Sequence, residues 1–164
     1  GRAGTMTHDY KRNGTTSLFA ALNVLDGTVI AECMPRQRHQ EFLRFLRRLD
    51  REIPRYFALH LVLDNYGTHK HPEVQRWLKD HLRFHFHFIP TSSSWLNLVE
   101  RWFRELTDKA IRRGAFPSVK DLERTIYDYV DHNNQDPQPF AWTASVDEII
   151  EKVNRSKAKL ETLH

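Results

Sequence analysis

The chain has 164 residues and a mass of 19.5 kDa, with 40% hydrophobic and 28% charged residues and one cysteine, Cys33. These values fit a single globular domain and exclude a disulfide scaffold, a cysteine-built zinc site and a disordered chain. Lys and Arg outnumber Asp and Glu by 25 to 21, for a net charge of +4 and a pI of about 9.3, a surplus compatible with an anionic partner such as nucleic acid. No apolar run reaches the roughly 18 residues of a membrane helix. Gly1–Gly14 is polar and lacks the apolar core of a secretory signal, so a soluble, cytoplasmic domain is expected.

The first element is the apolar stretch Thr16–Leu25, closed by Asp26-Gly27 and followed by the β-branched run Thr28–Cys33. Two such runs joined by Asp-Gly predict a hairpin. Phe42, Phe45, Leu46 and Leu49 recur at i, i+3, i+4 and i+7, which predicts an amphipathic helix from Arg38 to Glu52, stopped by Pro54. Phe57–Leu63 is apolar except for His60 and reads as a strand buried on both faces, ending in Asp64-Asn65-Tyr66-Gly67.

Pro72 suits a first helical turn, and Val74, Trp77 and Leu78 supply the core stripe of a second helix. Arg83–Ile89 places Phe84, Phe86 and Phe88 on one face of a strand. The loop Pro90–Ser94 leads, with Ser94 as N-cap, to a third helix carrying Trp95, Leu98, Val99, Trp102, Phe103 and Leu106 and ending near Gly114. Ser118-x-x-Asp121 and Ser145-x-x-Glu148 resemble capping boxes ahead of two further helical patterns, and a charged tail follows Ser156. The order β-β-α-β-α-β-α-α-α predicts one α/β domain with a mixed sheet over residues 1–156, and fraying over 157–164.

Two acids stand out by position. Asp64 lies just past the C-terminal end of an apolar strand, where open α/β sheets place ligands. Glu100 lies on the first turns of the third helix, and the 35 residues between the two acids hold a helix, a strand and a serine loop. Carboxylates converging at one end of the sheet would hold Mg²⁺, a hard ion that favours oxygen ligands. Two such ions about 3.5–4 Å apart serve phosphodiester chemistry. Singly, each acid has an ordinary structural explanation: Asp-Asn is turn chemistry, and Glu100 can pair with Arg104 at i, i+4.

The run Leu63-Asp64-Asn65-Tyr66-Gly67-Thr68-His69-Lys70, and then His87-Phe88-Ile89-Pro90-Thr91-Ser92-Ser93-Ser94-Trp95-Leu96-Asn97-Leu98-Val99-Glu100-Arg101-Trp102-Phe103, resemble the DDE transposases of mariner-like bacterial insertion sequences. Asn134-Gln135-Asp136-Pro137-Gln138-Pro139-Phe140-Ala141-Trp142-Thr143 is similar to that family too. The resemblance implies a ribonuclease H-like fold, a Mg²⁺- or Mn²⁺-dependent enzyme that cuts DNA and joins the freed 3′-OH to a target, a homodimer in the full-length protein, and a place at the nucleoid. By motif, Asp64 is the second catalytic and metal-binding acid and Glu100 the third.

The family's first acid ends an opening strand ahead of the hairpin. No such strand is expected here, since Asp9 lies in a polar stretch and Asp26 in the hairpin turn. The helix-turn-helix domain that family members carry upstream is not expected either. The predicted fold is therefore a ribonuclease H-like mixed sheet without its first strand. Two consequences are expected: little cleavage by this chain alone, and either marginal stability or direct pairing of the hairpin with Phe57–Leu63.

Among further candidates, Lys70 and Arg101 beside the two acids, Ser93 in the serine loop and Asn97 one turn before Glu100 are candidate DNA contacts. Of ten histidines, His69 and His71 flank Lys70, and His85 and His87 share a strand face. They show no HExxH pattern and read as surface imidazoles beside a basic DNA path. Two other functions compete with the transposase reading. One is a non-catalytic DNA- or transposase-binding product of a decayed element, and the other a ribonuclease H-like nuclease acting on RNA or hybrids.

Overall fold

The alternating run Ser17–Leu22 pairs as strand β1 with β2 (Val29–Met34), antiparallel from Ser17↔Met34 to Leu22↔Val29. The computed structural model describes residues 14–64, 66–89 and 96–139, and helical positions 147, 148, 150, 151, 154, 155 and 158. The hairpin loop is longer than the Asp-Gly signal suggested, because β1 stops at Leu22. Asn23 closes the loop with a backbone bond to Thr28 of 2.8 Å, and Asp26 Oδ1 accepts the Thr28 N–H at 2.8 Å. Gly27 holds φ at +80°, and a Cβ there would run into the Gln138 carbonyl, so this position requires glycine.

Helix α1 (His39–Glu52) follows the expected periodicity. Its Glu41 carboxylate accepts the Arg38 backbone N–H at 3.1 Å and the Arg38 guanidinium at 2.6 Å. That hydrogen bond to Arg38 holds Glu41 down to about 2. Strand β3 (Leu59–Asp64) leads through a 3₁₀ turn (Gly67–Lys70) to α2 (Pro72–Asp80), with Pro72 in the first turn. Helix α2 supplies the crossover a parallel pair needs, and β4 (Phe84–Ile89) then runs parallel to β3, from Leu59↔Phe84 to Asp64↔Ile89.

Helix α3 (Leu96–Leu106) continues into a π-helical turn (Thr107–Ile111). Helix α4 (Val119–Gln135) starts at Ser118, whose hydroxyl accepts the Asp121 N–H at 3.2 Å, as the first capping box predicted. Ser94, Trp95 and Ser145 lie outside the described residues.

Two apolar cores form. Phe42, Phe45, Leu46 and Leu49 of α1 pack with Val74, Trp77 and Phe84, and against Phe19, Ala21, Leu59, Leu61 and Leu63. On the opposite face of the hairpin, Val29 and Ala31 meet Trp102, Leu106, Ile126 and Val130 from α3 and α4. The hairpin is thus covered on both faces, and α1 forms a common floor under both strand pairs.

Two expectations need correction. Strand β3 is not buried on both faces: Leu59, Leu61 and Leu63 join the α1 core, while His60 is exposed on the other side. Nor does the hairpin pair with β3; β1–β2 and β3–β4 are separate two-stranded sheets among the described residues. Side-chain packing on the shared α1 core, and not a hydrogen-bonded seam, joins the two pairs among the described residues.

The outer edge of β2 is closed by side chains. Asn134 accepts the Val29 N–H and donates to the Val29 carbonyl, both at 2.8 Å. Arg48 donates to the Ala31 carbonyl, and Tyr127 Oη accepts the Cys33 N–H at 2.8 Å. Free strand edges are templates for pairing, and here backbone groups of alternate residues are already engaged.

Candidate functional site

Asp64 is the last residue of β3, half-buried and facing the end of β4 at Ile89. Its Oδ1 lies 3.2 Å from His69 Nδ1 and 3.4 Å from the Tyr66 N–H. The same His69 nitrogen is 3.3 Å from the Asp64 carbonyl oxygen. The 3₁₀ turn makes this possible by folding the chain back within five residues. Phe42 backs the His69 ring at 4.6 Å between centroids, which fixes the imidazole against the carboxylate. His69 is thus a partner of the acid and not one of the surface imidazoles expected.

Because β3 and β4 are parallel, β4 delivers the chain to the same end of the sheet as Asp64. Helix α3 begins seven residues beyond Ile89. It buries Trp102 and Leu106 against the hairpin and leaves Asn97, Glu100, Arg101 and Arg104 exposed. Glu100 and Asn97 share the outward side of that helix, as the i, i+3 spacing predicted. Asp64 thus closes β3, and Glu100 stands on the exposed side of α3, the helix that follows β4 in the sequence and packs on the hairpin.

The other candidates are placed differently. Lys70 is exposed in the 3₁₀ turn, with Nζ 5.1 Å from the centre of the Phe88 ring on β4. Arg101 donates to Glu105 at 3.2 Å, and Lys109 reaches the same carboxylate at 3.1 Å. Those two cations, Lys109 foremost, hold Glu105 below the usual carboxylate range. Ser93 lies outside the described residues. The arginines of α1 serve the fold: Arg44 pairs with Glu32 at 2.7 Å and Arg48 with Glu52 at 2.7 Å. Trp102, 3% exposed, is a core residue and not a stacking platform.

A second histidine group lies on the open face of β3–β4. His60 Nδ1 and His87 Nε2 are 2.9 Å apart, and the His60 and His85 rings stack at 4.7 Å. Burial first, and the facing His85 second, push His60 below the ordinary imidazole value. Burial likewise pushes the Cys33 thiol up, which suits a packed side chain and not a nucleophile.

Asp64 and Glu100 offer hard carboxylate oxygens suited to Mg²⁺ or Mn²⁺. Among the described residues, His69 and the Tyr66 N–H approach the Asp64 carboxylate through Oδ1. The donor set fits an oxygen-seeking divalent ion.

The sequence pattern of the DDE superfamily endonucleases matches residues 1–123. Among curated proteins, the chain is 32% identical over 90 residues to the uncharacterized 39 kDa protein of insertion element IS630 from Shigella sonnei. That match covers 55% of this chain and 26% of the relative, so the chain aligns with only part of it. Among solved structures, the fold matches a chain in the cryo-EM structure of the simian T-cell lymphotropic virus intasome in complex with the PP2A regulatory subunit B56 gamma. The TM-score is 0.53 at 20% identity, over 74% of this chain and 44% of that one. At that identity the likeness speaks to fold, and the fold is ribonuclease H-like, a mixed α/β architecture flanked by helices. No helix among the described residues is long and apolar enough to cross a membrane.

Proposed function

The chain belongs to the DDE superfamily endonucleases, and on that premise we propose that residues 1–156 are catalytic domain of a DNA transposase, with Asp64 and Glu100 as two of its metal-binding acids. The observation that carries this reading is the setting of Asp64: a carboxylate at the C-terminal end of a parallel strand, steadied by His69 at 3.2 Å. Divalent ions held there supply activation of the attacking oxygen and stabilisation of the leaving oxygen in phosphodiester cleavage and strand transfer. Asp64 and Glu100 hold Mg²⁺ or Mn²⁺, and His69 keeps the Asp64 carboxylate in one orientation. Lys70, Arg101, Asn97 and Ser93 hold DNA phosphates, a role in which cations set affinity and salt dependence.

The family's first acid would stand on a strand lying between β1 and β3, above α1. Partners follow from this reading: transposon-end and target DNA, and a second copy of the transposase, in a cytoplasmic, nucleoid-associated setting.

The test is plasmid nicking with Mg²⁺ or Mn²⁺. This chain alone is expected to cut little. A version extended by an apolar strand ending in Asp is expected to cut, and to lose cutting on Asp64→Asn or Glu100→Gln. Robust cleavage that survives Asp64→Asn overturns the proposal. Salt-dependent DNA binding without cleavage in the extended protein favours a non-catalytic DNA-binding role.

A further inference from the structure

One cluster of metal-ligating side chains lies outside the Asp64–Glu100 pair. His39 opens α1, His71 caps α2, and Glu73 lies in the first turn of α2. One donor atom from each of the three lies within 4.8 Å of the others. His39 Nε2 is 3.4 Å from Glu73 Oε2, and the two imidazoles stack at 3.5 Å with planes 4° apart. Both rings are half-buried and Glu73 is exposed, so the group is closed on the protein side and open to solvent on the other.

From this we infer that His39, His71 and Glu73 form a binding site for a zinc-like transition-metal ion, distinct in chemistry from the carboxylate pair. Two imidazoles and one carboxylate with a solvent-facing fourth position is a recurrent Zn²⁺ donor set, and imidazole selects against Mg²⁺. The spacing is close to what the ion demands. Tetrahedral bonds of about 2.0–2.2 Å put donors roughly 3.3 Å apart. The His39–Glu73 edge has that length already, and the widest pair, at most 4.8 Å, closes by about 1.5 Å.

Two rearrangements accompany binding. Parallel stacked rings aim their lone pairs along separate planes, so the imidazoles turn out of the stack to share an ion. His71 Nδ1 also accepts the Glu73 N–H at a long 3.3 Å. Either Nδ1 takes the ion, or the ring proton moves from Nε2 to Nδ1 and Nε2 takes it; the cap contact is given up in both cases. The positive ends of α1 and α2 oppose a cation, and the Glu73 carboxylate compensates. A bound ion would pin the start of α1 to the start of α2, fixing the C-terminal end of the turn that carries His69 and Lys70. The role is structural: it stiffens the support of Asp64 without touching the reacting phosphate.

The test is titration of the full chain with Co²⁺, followed by its absorption band, and then displacement by Zn²⁺. One equivalent is expected to bind with a tetrahedral spectrum. His39→Ala and Glu73→Gln are expected to abolish it, while Asp64→Asn and His60→Gln leave it intact. Glu73 is exposed and its replacement isosteric, so a folding failure does not obscure the result; far-UV circular dichroism of the metal-free variants confirms this. Absence of binding, binding that survives both His39→Ala and Glu73→Gln, or loss on Asp64→Asn or His60→Gln overturns the inference. Absence of nicking by the unsubstituted extended protein, with the cobalt spectrum retained, would count against the transposase reading alone.

Discussion

Asn134→Ala tests whether the α4 asparagine acts as a surrogate strand partner for β2. Its amide exchanges two hydrogen bonds of 2.8 Å with the backbone of Val29, a residue only 2% exposed. A net contribution of roughly 0.5–1.5 kcal/mol per bond gives about 1–3 kcal/mol for the pair. Alanine returns about 0.5 kcal/mol through better helix propensity. Water also reaches the partly exposed asparagine site, so the expected loss is about 1–2 kcal/mol. Asn134→Asp keeps an acceptor for the Val29 N–H but sets a carboxylate against the Val29 carbonyl, and it is expected to cost at least as much as alanine. Urea unfolding with an unchanged m-value measures both. A loss under about 0.3 kcal/mol for alanine, or an aspartate variant as stable as the parent, refutes the reasoning.

Leu46→Ala, at a 0% exposed position where α1 meets both strand pairs, is expected to cost about 2–5 kcal/mol by denaturant unfolding. Asp64→Asn is expected to change stability by less than about 1 kcal/mol, because its contact to His69 is partly solvated, while abolishing metal-dependent cleavage in the strand-extended protein. His60 is pushed down by burial and His85, so the unfolded chain binds its proton more readily than the fold does. Stability from this group is present above the ordinary imidazole value and is lost as pH falls below it. His60→Gln is expected to flatten the melting temperature across that window. Glu41, held at about 2, contributes stability that is full above the ordinary carboxylate value near 4.5 and disappears as pH falls towards 2. Glu41→Gln is expected to remove that acid-side slope in a thermal melt.

The elements whose burial is one-sided were legible. The α1 stripe at Phe42, Phe45, Leu46 and Leu49, the Phe84–Phe86 face of β4 and the Ser118 cap each encode their partner in local spacing. Strand β3 was misjudged because a run of leucine and valine looks alike whether one face or two are covered, and only the polar outlier His60 marked the open side. The His69–Asp64 contact and the His39–His71–Glu73 group were illegible for a different reason. Both depend on how a 3₁₀ turn and two helix starts converge, which no period in the sequence reports. The asparagines of the Asn133-Asn134-Gln135 run were visible as part of a motif, but motif alone could not tell a chemical from a structural duty. The structure gives Asn134 to the backbone of Val29.

The closed edge of β2 makes the hairpin directional. Side chains from α1 and α4 occupy the places where another strand would dock on that side, so copies of the chain cannot stack sheet to sheet through β2. An incoming strand would first have to displace Asn134, Arg48 and Tyr127 from the β2 backbone.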